Sequence, residues 1–383
     1  MTNSDFPWFE SIIVALIVPL IGLIWHGVKK YLHNRRLKHS NPFTNLSQIR
    51  KNEIRRIVRQ IMTGQSSAII GAFEKEKTDI LNVLDNPKLY GDKGDSLIFS
   101  KNVEISSLDT SCDKEQFWKQ ALKPLKFEIK KQQGHFFSRR KISALSKAYK
   151  DCQDNKFDEI FLQRLFDQLK KNKQQFILLI DRFDLLLQRE NLKQAKFFGG
   201  LRKMASPSNS SLNLVITLNI SLRQFHQESE ALNPGGSPYL NFMDDSQITL
   251  GVLSETEIDN FLQQSQRKLN DDDCLFIKKM AGGHPHLLKI ATTSLWDTDD
   301  NESAEKEFHK KIKGLLNEII RIWPESTCKA FLSVVQKREV SSFIEELEEL
   351  EEQGFIVKEN EAWQIRPSVF SSLLADKAAQ KCG

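Results

Sequence analysis

The sequence predicts an α/β fold in which helices alternate with the strands of a parallel sheet. Residues 176–180 form a continuous apolar run, which is typical of a central parallel strand buried on both faces. Apolar runs at 68–70 and 212–218, and a shorter one at 247–251, are separated from it by stretches with helical periodicity. With 383 residues and 40% hydrophobic content, the chain can form two or three domains with real cores.

A phosphate-binding turn is predicted directly after the strand at 68–70. Gly71 begins a G-x-x-x-x-G-K-[ST] frame that ends in Lys77 and Thr78, except that Glu76 replaces the second glycine. In such a frame backbone N–H groups surround the phosphates, the lysine contacts the β/γ oxygens and the hydroxyl holds Mg²⁺. Glu76 puts a carboxylate and a Cβ where the loop usually needs bare glycine backbone. Three interpretations follow: a nucleotide site with weakened affinity or hydrolysis, a P-loop fold kept as a scaffold, or a chance match.

An acidic motif follows the strongest predicted strand. Residues 176–180 end in Asp181, Arg182, Phe183 and Asp184. In P-loop proteins an acid at the end of such a strand binds the Mg²⁺ water shell beside the P-loop hydroxyl. Asp181 and Thr78 are therefore the predicted metal residues, and the pair of motifs is more specific than either one alone.

The N-terminal segment 11–28 predicts one membrane-spanning helix. It contains no Asp, Glu, Lys or Arg, although it is at the short end of what crosses a bilayer, so a buried core helix is the alternative. The basic residues that follow it are Lys29, Lys30, Arg35, Arg36 and Lys38. Positive charge stays on the cytoplasmic side, which predicts a single-pass protein of the cytoplasmic (inner) membrane with its N-terminus outside.

The regions between these motifs predict further elements. Residues 49–62 predict an amphipathic helix, and residues 95–105 predict a second strand. The basic stretch 112–150 is interpreted as a solvated helical face, with nucleic-acid contact as the alternative. Ser254 starts a helix with Glu257 at the capping-box spacing. Five scattered cysteines without a C-x-x-C pair indicate neither a zinc site nor a disulfide framework.

The C-terminal region predicts a winged helix. After two helices, short strands are expected at 354–357 and 362–365, followed by a last short helix. The candidate recognition helix, 341–353, is rich in glutamate and has no Lys or Arg, so nucleic-acid phosphates would repel it. A role in protein contact or packing is therefore expected, and nucleic acid is not an expected partner.

Taken in order, these pieces resemble the STAND class of P-loop NTPases, close to AAA+, and within it the bacterial novel-STAND and archaeal-ATPase-like groups. The motifs that carry the resemblance are NPF at 41–43, GQSSAIIG, LLIDRFDLL, VITLN, GSPYLNFMDDSQITLGVLSETE and GGHPHLL. The resemblance runs from Asn41 to about Leu374. It implies a P-loop domain at 41–250, a helical lid at 251–312 and a winged helix at 313–383, behind a membrane and juxtamembrane segment at 1–40.

The resemblance also implies roles for individual residues. The phosphate contacts come from the loop at 71–78, with ATP and Mg²⁺ as the cofactors. The implied nucleotide-binding residues are Gly71, Lys75, Glu76, Lys77, Thr78, Asn219, His284 and Pro285, the last two from the lid. The implied catalytic acids are Asp181 and Asp184, of which Asp181 also joins Thr78 at the metal.

Three departures from the family pattern concern hydrolysis. Glu76 replaces the loop glycine, Arg182 stands where many relatives carry Glu, and residues 49–53 (IRKNE) replace the usual G-R-E-x-E. Because Arg182 cannot serve as the base that orients water, turnover is expected to be slow or absent. The sequence thus predicts a membrane-anchored, STAND-like regulatory switch that acts by self-association or recruitment of an unknown protein partner, as relatives do in defence or stress signalling. The alternatives are a non-enzymatic scaffold at the membrane and an AAA+-type nucleic-acid-binding protein.

Overall fold

A computed structural model of the protein describes residues 49–100, 102–132, 139–206, 211–265 and 267–382. The predicted membrane segment 11–28 and the NPF motif at 41–43 lie outside these ranges. Within them, no helix is both long enough and apolar enough to cross a bilayer.

A parallel sheet forms the centre of the first part of the chain. Its six strands are β1 (Ser67–Ile70), β2 (Leu97–Phe99), β3 (Val103–Glu104), β4 (Gln175–Asp181), β5 (Leu212–Leu218) and β6 (Gln247–Thr249). They lie in the order β2-β4-β5-β1-β6, with β3 also paired to β4, and every pairing is parallel. The predicted α/β class with a parallel sheet is confirmed.

Two hydrophobic cores lie on opposite faces of this sheet. Alternate residues of β4 point to opposite sides, so Ile177 and Leu179 belong to one core while Leu178 and Ile180 belong to the other. The helices of the first part are α1 (Lys51–Met62), α2 (Glu74–Leu84), α3 (Lys114–Ala121), α4 (Lys123–Gln132), α5 (Arg139–Asp154), α6 (Glu159–Lys171), α7 (Ala195–Ala205) and α8 (Leu222–Ser229). Since both faces are covered, β4 and β5 are buried along almost their whole length and are mostly apolar.

The second part of the chain is mostly helical. Its helices are α9 (Glu255–Gln263), α10 (Asp271–Ala281), α11 (Pro285–Trp296), α12 (Asn301–Ile322), α13 (Glu325–Val335), α14 (Ile344–Glu352), α15 (Val369–Leu373) and α16 (Ala375–Cys382). An antiparallel hairpin, β7 (Ile356–Glu359) with β8 (Ala362–Ile365), follows α14. The predicted capping box at the start of α9 is present, because Ser254 and Glu257 bond reciprocally. The elements after α12 appear in the predicted order, while their assignment as a winged helix and the domain boundaries stay predictions.

Three element boundaries differ from those predicted. The strand expected over 95–105 is two short strands, because the Ser100 hydroxyl, rather than a backbone carbonyl, accepts the N–H of Leu179 at 2.8 Å. The strand expected at 354–357 begins at Ile356, since Gly354 (φ 80°) first turns the chain out of α14. Helix α2 begins at Glu74, inside the frame 71–78 that the sequence predicts as the phosphate-binding loop.

Candidate P-loop site

The candidate site lies where three strands of the parallel sheet end at the same edge. Gly71 follows β1, Asp181 ends β4 and Asn219 follows β5. Because β5 lies between β1 and β4, Asn219 sits between the groups that the other two strands supply. Its Oδ1 accepts a hydrogen bond from Lys77 Nζ at 2.8 Å, and its Nδ2 donates to Asp184 Oδ2 at 3.4 Å. The residues predicted for three separate motifs are thus brought together.

The two predicted metal residues are in direct contact. Thr78 Oγ1 donates to Asp181 Oδ2 at 2.5 Å, and Thr217 Oγ1 holds the other carboxylate oxygen at 2.5 Å. A hydroxyl and a carboxylate are oxygen ligands of the kind that Mg²⁺ prefers. Within the described ranges no group of three or more His, Cys, Asp or Glu could hold a metal alone. The pair therefore fits a Mg²⁺ ion that takes its remaining ligands from phosphate and water.

Lys77 is completely buried and is already bonded within the protein. Its ammonium donates to the carbonyl of Gly71 and to Asn219. Burial lowers the pKa of Lys77 to about 8, although the nearby carboxylate of Asp184 works in the opposite direction. A phosphate group would have to replace these neutral partners of the ammonium.

The turn between β1 and α2 is shorter than the sequence frame suggests. Phe73 is the N-cap of α2, so only residues 71–73 separate strand from helix. Glu76 favours this early start because it lacks the conformational freedom of glycine and places an acid in the first helical turn. The N–H of Glu76 bonds the Phe73 carbonyl at 3.2 Å, and Lys75 is exposed.

The side chain of Glu76 contacts the lid and α1. It is 2% exposed, its Oε2 lies 3.0 Å from Arg50 Nη2, and its Oε1 accepts the N–H of His286 at 2.9 Å. Arg50 also bonds Glu53 at 3.0 Å and the carbonyl of Gly251 at 2.5 Å. Sequence reasoning missed Arg50 as a functional partner. The available signal was a basic residue within the departure at 49–53, opposite in charge to the unexpected glutamate.

Arg182 and Asp184 stand at and after the end of β4, where a residue that activates water for hydrolysis would be expected. Arg182 has a left-handed backbone (φ 60°), and its guanidinium pairs with Glu74 at 2.7 Å. Asp184 is buried, and Asn219 donates to both of its oxygens, at 3.3 and 3.4 Å. Burial raises the pKa of Asp184, against the effect of the Lys77 ammonium. Arg182 has no carboxylate, and the carboxylate of Asp184 is already bonded to Asn219.

His284 and Pro285, which the resemblance assigns to a lid, are also buried. The Nε2 of His284 lies 3.0 Å from the carbonyl of Gly354, and its ring stands edge-on to Phe73 at 5.0 Å. Burial lowers the pKa of His284 to about 4, so the imidazole is neutral at pH 7. Pro285 is the first residue of α11. The nucleotide contact implied for both stays a prediction, whereas the contact between Phe73 and the lid was not predicted.

A small cavity lies beside the turn, between it and α12. Its volume is about 200 Å³, and its lining residues are Ala72, Phe73, Glu74, Lys75, His286, Leu315, Glu318, Ile319 and Ile322. Pockets for small organic ligands are commonly about 300 Å³ or more. Lys77 is fully buried and is not among the residues that line this cavity.

Comparison with known proteins places the fold. No protein-family model and no curated protein sequence matches the chain. A Walker-type ATPase of Pyrococcus abyssi is similar in structure, with a TM-score of 0.56 and 15% identity over 88% of this chain and 98% of that one. The ORC2 protein of Aeropyrum pernix, solved as ADPNP–ADP complexes, gives a TM-score of 0.49 and 11% identity over 89% and 94% of the two chains. The second likeness is too distant to support an inference, but the first agrees with the assembled motifs, and the chain has the fold of a P-loop NTPase.

Proposed function

We propose that this chain binds ATP with Mg²⁺ at the P-loop site and acts as a regulatory switch with slow or absent hydrolysis. The observation that carries the proposal is the 2.5 Å contact between Thr78 and Asp181, which lie 103 positions apart in the sequence. A hydroxyl and a carboxylate separated in this way meet only because the sheet brings the ends of β1 and β4 to one edge.

The residues of the site have separate parts in binding. Lys77 and the first N–H groups of α2 bind the phosphates, since a helix N-terminus and an ammonium both favour negative charge. Thr78 and Asp181 hold the metal ion, which neutralises phosphate charge. Asn219 orients the Lys77 ammonium through its 2.8 Å contact and releases it to the ligand.

Slow turnover follows from the two groups nearest to the end of β4. Arg182 is paired with Glu74 and cannot accept a proton from water. Asp184 could accept one, but both of its oxygens are engaged by Asn219. Holding nucleotide without hydrolysing it is the behaviour that suits a switch rather than a motor.

Within this proposal the switch belongs to the STAND-like class, and its domains follow the predicted boundaries 41–250, 251–312 and 313–383. It is anchored by residues 11–28 in the cytoplasmic membrane and acts through self-association or a recruited protein. The order of the sequence motifs supports this assignment, as does the helix-helix-hairpin order after α12. The winged helix serves as a packing module within it.

The acidic helix α14 supports the packing role. Arg223 at the start of α8 lies 2.8 Å from Glu345 and 2.8 Å from Glu349 of α14. Glu352 at the end of the same helix accepts a hydrogen bond from Thr249 of β6 at 3.2 Å. The acidic side chains of α14 thus contact α8 and β6 of the same chain.

Calorimetric titration of the full chain in detergent with ATP and Mg²⁺ tests the proposal. Binding is expected at up to millimolar nucleotide, and Thr78→Ala should weaken the Mg²⁺-dependent part. Thr63→Ala, at an exposed threonine outside the site, is the matched control. Absence of both heat and a thermal shift at millimolar ATP would refute ATP binding.

A second candidate function is a scaffold that keeps the fold without using nucleotide. It is favoured by the internal bonds of Lys77, whose ammonium already donates to the Gly71 carbonyl and to Asn219. Under this candidate Lys77→Ala leaves cellular activity intact, whereas the switch requires its loss. A cellular assay of that variant, with protein abundance measured alongside, separates the two.

A further inference from the structure

One carboxylate, that of Glu76, joins three segments that are distant in sequence. It is in the first turn of α2, and it bonds Arg50 at the start of α1 and the N–H of His286 in α11. These partners lie 26 and 210 positions away in the chain. The residue that replaces the P-loop glycine is therefore the contact point between the P-loop helix and the lid.

The lid helix needs this carboxylate because it has no cap of its own. Pro285 is the first residue of α11 and has no N–H, so His286 supplies the first available donor. The N-cap residue His284 makes no side-chain capping bond, since its imidazole is directed to Gly354. Glu76 provides from another helix the anion that a helix N-terminus favours.

Arg50 fixes the carboxylate in that position. The guanidinium is 2% exposed and bonds Glu76, Glu53 and the carbonyl of Gly251. A buried ion pair with several hydrogen bonds has a defined geometry, and loss of one partner leaves the other charge buried without its counter-ion. The contact between α2 and the lid consequently requires both the negative charge of Glu76 and a fixed orientation of its carboxylate.

We propose that Glu76 is a latch that holds the lid helix α11 against the P-loop helix, and that release of this latch governs entry of nucleotide to Lys77. The inference rests on the proposed function, since it describes how the same site is regulated. With the latch closed, Lys77 is fully buried and the cavity beside the turn is about 200 Å³. A polyphosphate near α2 repels the carboxylate and offers its own charge to the N-terminus of α11. Glu76 thus competes with the ligand instead of merely damaging the site.

The test uses Glu76→Gln with Glu74→Gln as its matched control. Both variants remove one carboxylate from the first turn of α2, but Glu74 pairs with Arg182 and its side chain is 42% exposed. Two measurements are made on the full chain: hydrogen exchange of the amides that begin α11, and the association rate of a fluorescent ATP analogue. A change common to both variants reports the lost charge, and an excess in Glu76→Gln reports the latch.

We expect the first amides of α11, including that of His286, to exchange about tenfold faster in Glu76→Gln and at the wild-type rate in Glu74→Gln. The association rate should rise about tenfold more in Glu76→Gln than in Glu74→Gln. Unchanged exchange in Glu76→Gln would overturn the latch. Faster exchange with equal association rates in the two variants would overturn its control of entry.

Two further arms separate the possible failures. If no variant binds the analogue, the proposed function fails, while faster exchange in α11 still supports the latch and unchanged exchange still overturns it. If Glu76→Gln does not fold, Arg50→Met with Glu76→Gln removes both buried charges and leaves no unpaired guanidinium. That double variant should show the same faster exchange in α11, and wild-type exchange would overturn the latch.

Discussion

Two arginine ion pairs lie where the first part of the chain meets the second, and their surroundings differ. Arg50 and Glu76 are each 2% exposed, whereas the side chains of Arg223 and Glu345 are 34% and 70% exposed. If one member of the Arg50–Glu76 pair is removed, water cannot replace it. If one member of the Arg223–Glu345 pair is removed, water can. The comparison shows that similar ion pairs have different consequences, because burial decides the cost of removing one member.

The largest effect is expected from Glu76→Gln, which leaves the buried Arg50 guanidinium without its main counter-ion. The variant should lower the free energy of unfolding by about 3 kcal/mol, the scale for breaking a buried pair. Adding Arg50→Met should restore part of the loss, so that the two effects are not additive. Urea denaturation of Glu76→Gln, Arg50→Met and the double variant measures the coupling, and simple additivity would show that the pair is not a unit.

A second test uses acid on the same buried region. Burial lowers the pKa of His284 to about 4, from an ordinary value of 6.5. Between these values the unfolded chain binds a proton that the folded chain does not, so stability falls as pH falls from 6.5 to 4. The total loss expected is about 3 kcal/mol. Thermal unfolding across this range should show a weaker slope in His284→Asn, and an identical slope would contradict the assignment.

Lys77 is a buried charge with no direct ion pair among the described residues, and it provides a test of intermediate size. Its pKa is lowered to about 8 by burial, and bound phosphate should raise it again. ATP affinity is therefore expected to fall as pH rises above about 8, by up to about tenfold per unit. Lys77→Arg stays charged and should show a flatter profile. If ATP affinity depends on pH in the same way in the wild type and in Lys77→Arg, the titrating group is not Lys77.

The smallest effect is expected at the exposed contact. Arg223→Ala removes bonds to Glu345 and Glu349, yet it should cost less than about 1 kcal/mol because water and salt screen the charges. The loss should shrink further at high salt. Urea denaturation at low and high ionic strength checks both statements, and a large salt-independent loss would place Arg223 in the same class as Arg50.

Local patterns predicted much of the fold and part of the site. The apolar runs located β1, β4, β5 and β6, and Thr78 and Asp181, which the two motifs predict as metal residues, are in contact. The hydrogen bond between the Glu76 carboxylate and the N–H of His286 was not predictable. The two residues are 210 positions apart, and neither local sequence pattern indicates the other as a partner. The strand break at Ser100 likewise depends on a hydroxyl bonding a neighbouring strand. Long-range polar pairing was the missing information.

Gly251, where the chain leaves the sheet for the lid, is held from two sides. Arg50 bonds its carbonyl, and a Cβ added there would collide with the carbonyl oxygen of Glu352 at the end of α14. Any larger residue at 251 would push away the end of α14, together with the Glu352 carboxylate that accepts a hydrogen bond from Thr249. Position 251 is thus a point of steric coupling between the sheet and α14.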